Sequence, residues 1–301
     1  MVTRGFVFVL ICLYLSIAAT NLFAAPPAKS PLVIELIPHP GGTLMMTIRA
    51  TVQGHEGNFI FDTGGGISYI SPGFAQTIGC KPWGQLTGFT LTAQRLDMPR
   101  CDGVLFDIAG NRFGAPTSGV FDLMKFMPKD LPRIDGSIGL DVFDGRALTL
   151  SLAQKQLTVE TPASLAVRTR HSREVPIKLV REVEGAALTV VVAVPTTAGT
   201  AWMEIDCGNG GANVIGKHLA PLMKLDPGKK EPQPASFMIA GGIPVEGMAR
   251  VNETLTMDGN IGTRFLIKWD LTLDLAKGRA WLAPATTSWL IGGGTQLSEQ
   301  N

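Results

Sequence analysis

Asn58-Phe59-Ile60-Phe61-Asp62-Thr63-Gly64-Gly65-Gly66 is the stretch whose reading decides the fold. Its apolar run, Phe59 to Phe61, has the unbroken character of a strand buried on both faces. The run delivers one carboxylate, Asp62, to its end, where burial is costly unless hydrogen-bond donors surround the charge. Gly64, Gly65 and Gly66 meet that need, because backbone without Cβ folds tightly around a carboxylate and turns N–H groups toward it. An ordinary β-turn uses Asp and Gly in the same order. A second copy separates the two readings.

That copy is Ala201-Trp202-Met203-Glu204-Ile205 leading into Asp206-Cys207-Gly208-Asn209-Gly210-Gly211. Downstream, Asp135-Gly136-Ser137-Ile138-Gly139-Leu140 is answered by Asp258-Gly259-Asn260-Ile261-Gly262-Thr263, an offset of 123 residues from Gly139 to Gly262. The same offset carries Leu148-Thr149-Leu150 onto Leu271-Thr272-Leu273, and Ala153 onto Ala276, without a gap. Two half-chains that each present one carboxylate on a glycine loop are a duplication. Brought together about a pseudo-twofold axis, such carboxylates cannot both ionise, so one proton is held between them. A water bridging the pair loses a proton to the ionised member while the protonated one polarises a carbonyl.

At these residues the chain resembles the pepsin/retropepsin clan of aspartic proteases, as two retropepsin-like lobes fused in one polypeptide of the bacterial exported type. In that family each lobe carries an apolar-Asp-Thr/Ser-Gly loop, matched here by Phe61-Asp62-Thr63-Gly64 and Ile205-Asp206-Cys207-Gly208. A later apolar-apolar-Gly element packs behind each loop, matched imperfectly by Ser137-Ile138-Gly139 and Asn260-Ile261-Gly262. The resemblance runs from about Leu32 to Pro284. It implies an all-β, bilobal pepsin-like architecture of two pseudo-twofold-related β-barrel lobes with short helices. It also implies that Asp62 and Asp206 are the catalytic pair. Thr63, Gly64, Gly65, Cys207, Gly208 and Asn209 would form the loops that support the dyad, with Gly139 and Gly262 behind them. No metal or other cofactor is required, and the partner is a peptide or protein substrate. A hairpin flap over the cleft is implied, for which residues 89–100 and 237–248 are the candidates.

Two departures from the family pattern carry expectations. Cys207 stands where a threonine hydroxyl bonds across to the other lobe, and a thiol is a weak donor, so a looser or asymmetric dyad is expected. Gly65 and Asn209 stand where Ala, Ser or Thr is usual, so the Asn209 amide is expected to serve Asp206 while Asp62 holds the shared proton. The implied function is aspartic endopeptidase. The altered second loop also fits a catalytically silent exported peptide-binding protein.

The totals agree with a globular chain of this kind. Of 301 residues, 45% are hydrophobic and 17% charged, which excludes a disordered chain. A formal net charge of +1 gives no electrostatic case for nucleic acid. Arg4 followed by an apolar stretch over 6–19, with small residues to Ala25, reads as an export signal cut after Ala24 or Ala25. The stretch is shorter than the ~20 residues needed to span a bilayer. A periplasmic or secreted protein follows, with no stable membrane association after cleavage. Both half-sites lie on one chain, so a monomer is expected.

Around the two loops the expected organisation is a signal at 1–25, a first lobe at 31–160, a linker at 161–173, a second lobe at 174–284 and a loose tail at 285–301. Short helices are expected after each loop, beginning at Ser71-Pro72 and over 215–223. Hairpin strands are expected at 89–96 and 103–108, and a cleft lip at 121–127. Cys80 and Cys101 flank a strand-and-turn segment at a spacing suited to a local disulfide, two separate buried thiols being the other reading. His39, His55, His171 and His218 lack ligand spacing, and neither a phosphate loop nor a Gly-x-Ser-x-Gly elbow is present.

Overall fold

The computed structural model describes residues 30–40 and 44–286. The signal read at 1–25 and nearly all of the tail lie outside the described residues. Within them the fold is all-β and bilobal, built from an eight-stranded sheet, a seven-stranded sheet and a six-stranded sheet that joins them.

The Asp62 run forms the strand His55–Phe61, entered from Met46–Val52 through Gln53-Gly54. Both turn residues have positive φ, 51° and 81°, the geometry that matches a two-residue turn to the twist of its strands. Phe59 and Phe61 are fully buried. Phe59 meets Phe74 and Phe106 edge-to-face at 5.3 and 5.5 Å, the arrangement ring quadrupoles favour. Gly136–Ile138 lies parallel to the end of this strand, Ile138 beside Phe61, and antiparallel to Tyr69–Ile70 on its other side. Pairing of Met46–Val52 with Arg95–Ile108 closes the first sheet into a barrel. The second lobe repeats the pattern: Gly199–Ile205 delivers Asp206, and Gly259–Ile261 lies parallel to it and antiparallel to Asn213–Gly216.

The repeat explains its own Asp-Gly pairs. Asp135 Oδ2 accepts the Asn58 N–H at 2.9 Å, and Asp258 Oδ2 accepts the Trp202 N–H at 2.8 Å. Each carboxylate thus fixes the strand that carries its lobe's loop aspartate.

The joining sheet shows where the axis runs. Its order is Leu32–Glu35, Gln156–Glu160, Ala147–Ser151, Trp269–Asp274, Arg279–Pro284, Arg173–Val175. At its centre Thr149 pairs with Thr272, their hydroxyls 3.0 Å apart. These are the residues the 123-residue offset makes equivalent. A residue that faces its own copy lies on the twofold axis.

Two local expectations are corrected, and the stretch read as the linker takes helical form in part. Residues 161–173 contain the helix Pro162–Thr169, started by a reciprocal capping box between Thr161 and Ser164, with Ser where Glu is the usual partner. Residues 215–223 are not one helix: Asn213–Gly216 is a strand, because Ile215 is taken up in the sheet between Val251 and Gly259. Only the short turns Lys217–Leu219 and Pro221–Met223 follow it. The hairpin strands expected at 89–96 and 103–108 are displaced. The turn occupies 90–94, and a single strand, Arg95–Ile108, runs through Pro99 and Gly103 to pair with both Trp83–Phe89 and Asn111–Val120. The helix Pro72–Thr77 starts as expected, the Ser71 hydroxyl accepting the Phe74 N–H at 3.1 Å.

Cys80 and Cys101 are disulfide-bonded, with Cα atoms 6.3 Å apart, and Cys207 is free and buried. Among the described residues no helix is long and apolar enough to cross a membrane. The bridge closes a loop of 21-residue separation. Replacing both cysteines by serine is expected to lower unfolding free energy by about 3 kcal/mol, read from denaturant midpoints at unchanged m-value.

Candidate functional site

Each loop aspartate is held first by its own lobe. The Asp62 N–H donates to Ile138 O at 3.1 Å and the Asp206 N–H to Ile261 O at 2.9 Å, so the element behind each loop sets its height. The carboxylates then accept from the glycine loops: Gly64 N–H to Asp62 Oδ1 at 2.9 Å, Gly208 N–H to Asp206 Oδ1 at 2.7 Å. Asn209 N–H adds a second bond to Asp206 Oδ1 at 3.1 Å.

The glycines also record how close the lobes come. A Cβ on Gly64 would lie 2.5 Å from Asp206 Cγ, and one on Gly208 would lie 2.6 Å from Asp62 Cγ. Each lobe's loop therefore rests against the other lobe's carboxylate, and only glycine leaves room. Gly139 and Gly262 are packed similarly from behind, where a Cβ would meet Asp141 Oδ1 at 2.9 Å and Asn209 O at 2.4 Å.

Beneath the carboxylates the lobes are tied by crossed bonds between Thr63 and Cys207, 2% and 1% exposed. Thr63 Oγ1 donates to Ile205 O at 2.8 Å and accepts the Cys207 N–H at 3.0 Å. Reciprocally, Cys207 Sγ donates to Phe61 O at 3.2 Å and accepts the Thr63 N–H at 3.3 Å. Sulfur and hydroxyl thus reach equivalent carbonyls and amides across the axis, the sulfur at distances 0.3–0.4 Å longer. Burial, with Asp62 beside it, holds the Cys207 thiol far above its ordinary pKa.

Asymmetry enters through two residues the sequence reading did not single out for the site. Asn260 Nδ2 donates to Asp206 Oδ2 at 2.8 Å and to Glu204 Oε2 at 2.9 Å. The Asn209 side chain does not reach Asp206, contrary to expectation; it donates to Asn260 Oδ1 at 2.7 Å and orients that amide. In the first lobe the corresponding residues are Ser137 and Ile60, which place no donor or acid beside Asp62. The signal was present as the mismatch of Asn260 with Ser137 and of Glu204 with Ile60 in an otherwise aligned repeat.

The charges follow from this arrangement. Burial, then the neighbouring Asp206, raises Asp62 well above the carboxylate range. Glu204, 3% exposed, is raised well above it too, by burial and then by Asp206 and Asp62. Behind the first loop, Asp141 accepts both the Ser68 N–H and hydroxyl, and burial raises it to about 6. Asn260 and two backbone amides donate to Asp206, while the raised pKa of Asp62 places the shared proton there.

Asp206, with Gly64, Gly65 and Gly66 of the first loop, lines a cleft of about 820 Å³. Its roof is the hairpin Trp83–Phe89 with Arg95–Ile108, whose tip is tied to the second lobe by Thr256 N–H donating to Leu91 O at 3.1 Å. Of the two flap candidates, 89–100 covers the cleft and 237–248 contributes nothing to its lining. The short helix Leu123–Phe126 forms a lip where one was expected. Among the described residues no group of His, Cys, Asp and Glu is disposed to hold a metal.

No protein-family profile matches the sequence, and no curated protein does either. Among solved structures, the chain is similar to basic 7S globulin from soybean at TM-score 0.55 and 11% identity, covering 89% of this chain and 98% of that one. It is similar also to conglutin gamma, a basic 7S globulin from lupine seeds, at TM-score 0.55 and 8% identity, covering 88% and 97%. At such identities the likeness is one of fold, and the fold is pepsin-like.

Two measurements check this electrostatic and packing picture. Asp62, Glu204 and Asp141 keep their protons in the folded state above the pH at which the unfolded chain releases them. Their stabilising contribution is whole below about pH 4 and falls as pH rises through each folded pKa, near 6 for Asp141. Denaturant midpoints should therefore decline with rising pH, and Asp62→Asn should flatten part of that decline. Cys207 should resist iodoacetamide in the native protein and react on unfolding, as followed by mass spectrometry.

Proposed function

We propose that the chain is an exported aspartic endopeptidase whose catalytic groups are Asp62 and Asp206. The observation that carries the reading is reciprocal contact: each lobe's loop glycine abuts the opposite lobe's carboxylate, beside one roofed cleft that Gly64 and Asp206 line. Two carboxylates so placed share a proton, and the asymmetry of donors assigns their roles.

Asp206, held by Gly208, Asn209 and Asn260, is the base. Asp62, protonated, is the acid. As Asp206 takes a proton from the attacking water, the water oxygen bonds to the scissile carbonyl carbon and Asp62 gives its proton to the carbonyl oxygen. Collapse of the tetrahedral diol returns a proton to Asp62, passes the one on Asp206 to the leaving amine and breaks the C–N bond. The Thr63–Cys207 crossed bonds keep the two carboxylates in register through both steps. Phe89 and Phe126 line the cleft and are 60% and 62% exposed, apolar surface suited to peptide side chains.

A second reading is a silent peptide-binding protein, favoured by Asn260 occupying Asp206 Oδ2, an oxygen the attacking water would otherwise share. Digestion of an unfolded protein from acidic to neutral pH separates the two. Cleavage that falls by about 10³-fold in Asp62→Asn and Asp206→Asn supports the endopeptidase. Peptide binding without cleavage supports the silent protein. Cys207→Thr should leave cleavage intact, since a hydroxyl makes the same crossed bonds.

A further inference from the structure

Glu204 has no role in the chemistry just described, yet one amide, Asn260 Nδ2, donates both to it and to Asp206. It precedes Asp206 by two positions at the end of the strand Gly199–Ile205, so its side chain leaves the same face. It lines the cleft with Asp206 and is 3% exposed. Asn260 satisfies one of its oxygens at 2.9 Å. At the corresponding position of the first lobe stands Ile60, buried in the core. The duplicated halves thus differ by an acid beside one end of the scissile position.

The cleft as a whole is polarised in the same sense. Glu182 also lines it, with Asp206 and Glu204, while among the described residues no lysine, arginine or histidine does. The rest of the wall is apolar or neutral, as with Leu86, Phe89, Met98 and Thr189. A carboxyl in such surroundings is neutral when the cleft is empty and ionises when a cation arrives within hydrogen-bond reach.

We propose that Glu204 is a specificity-determining residue: it receives the ammonium or guanidinium of a basic side chain adjacent to the scissile bond, so that the cleft selects lysine- or arginine-containing peptides. This rests on the cleft being a peptide site but not on its being active. An apolar stem of lysine or arginine would lie along the apolar wall while its head pairs with Glu204. Burial and the flanking carboxylates of Asp206 and Asp62 keep Glu204 protonated at low pH, and Asn260 and Thr189 are its neutral neighbours. Preference for the cation therefore grows as pH rises.

The test is binding of uncleavable peptides to the full chain by calorimetry. Hexapeptides with a neutral hydroxyethylene group in place of the scissile amide carry lysine, or norleucine, which keeps the alkyl stem without the ammonium, at one or other flanking residue. At one of those two positions lysine should bind at least tenfold more tightly than norleucine, with an advantage that increases from pH 4 to pH 7. In Glu204→Gln, which keeps the Asn260 bond, the advantage should vanish while norleucine peptides bind as before; an unchanged melting temperature shows the variant is folded. Equal affinity for both peptides in the wild type, or a lysine advantage that survives Glu204→Gln, overturns the proposal and leaves the endopeptidase reading standing. Failure of every peptide to bind overturns both. Cleavage of unfolded protein with no basic preference overturns the proposal alone.

Discussion

Two carboxylates pressed against each other's glycine loops form an arrangement that electrostatics opposes, and the interface beneath them is what holds it. Thr63 and Cys207 cross the axis, each bonding to the strand carbonyl just before the other lobe's aspartate and to the other's backbone amide. These bonds are buried, so breaking one strands a polar group without water, a cost of about 1–3 kcal/mol. The glycines at 64 and 208 follow from the same constraint, since any Cβ there would push the lobes apart. So does the shared proton, because like charges at this separation cannot both persist.

The scaffold transmits that constraint outward. Behind each loop a three-residue strand lies parallel to the aspartate strand, and Asp135 and Asp258, at the entry to those strands, anchor the aspartate strands by side-chain bonds. The six-stranded sheet places Thr149 against Thr272 on the axis, so the two halves are registered by hydrogen bonds away from the site as well as at it. A dyad needs positions fixed to fractions of an ångström, and two independent seams on one axis supply that better than one.

Within this symmetric frame the functional differences are concentrated in the second lobe. Asn260 and Glu204 stand where Ser137 and Ile60 stand in the first, and Asn209 orients Asn260. The result is three donors on Asp206, an Asp62 that holds its proton and a third buried acid, Glu204, on a cleft wall that carries no lysine, arginine or histidine among the described residues. Duplication gives two equal carboxylates; general acid–base chemistry needs two unequal ones.

The residues by themselves determined the duplication and the two aspartate loops, because each rests on short-range pattern: an apolar run, a glycine cluster, an offset of 123 residues. The bilobal β-fold came with the family resemblance those loops carry, and the spacing of Cys80 and Cys101 left a disulfide and two buried thiols open until the structure joined them. Local pattern failed where a segment answered to distant partners. Ile215 is strand because Val251 and Gly259 need it, and Arg95–Ile108 is one strand because both neighbours pair with it across Pro99 and Gly103. Which hairpin roofs the cleft, which side-chain amide reaches Asp206, and whether sulfur can replace oxygen at position 207 were decided only by tertiary structure. The physical reason is common to all three: each depends on distances of about 3 Å between residues 50 or more apart in the chain, and hydrogen bonding at that range is fixed by how the lobes close, not by the order of residues along either one.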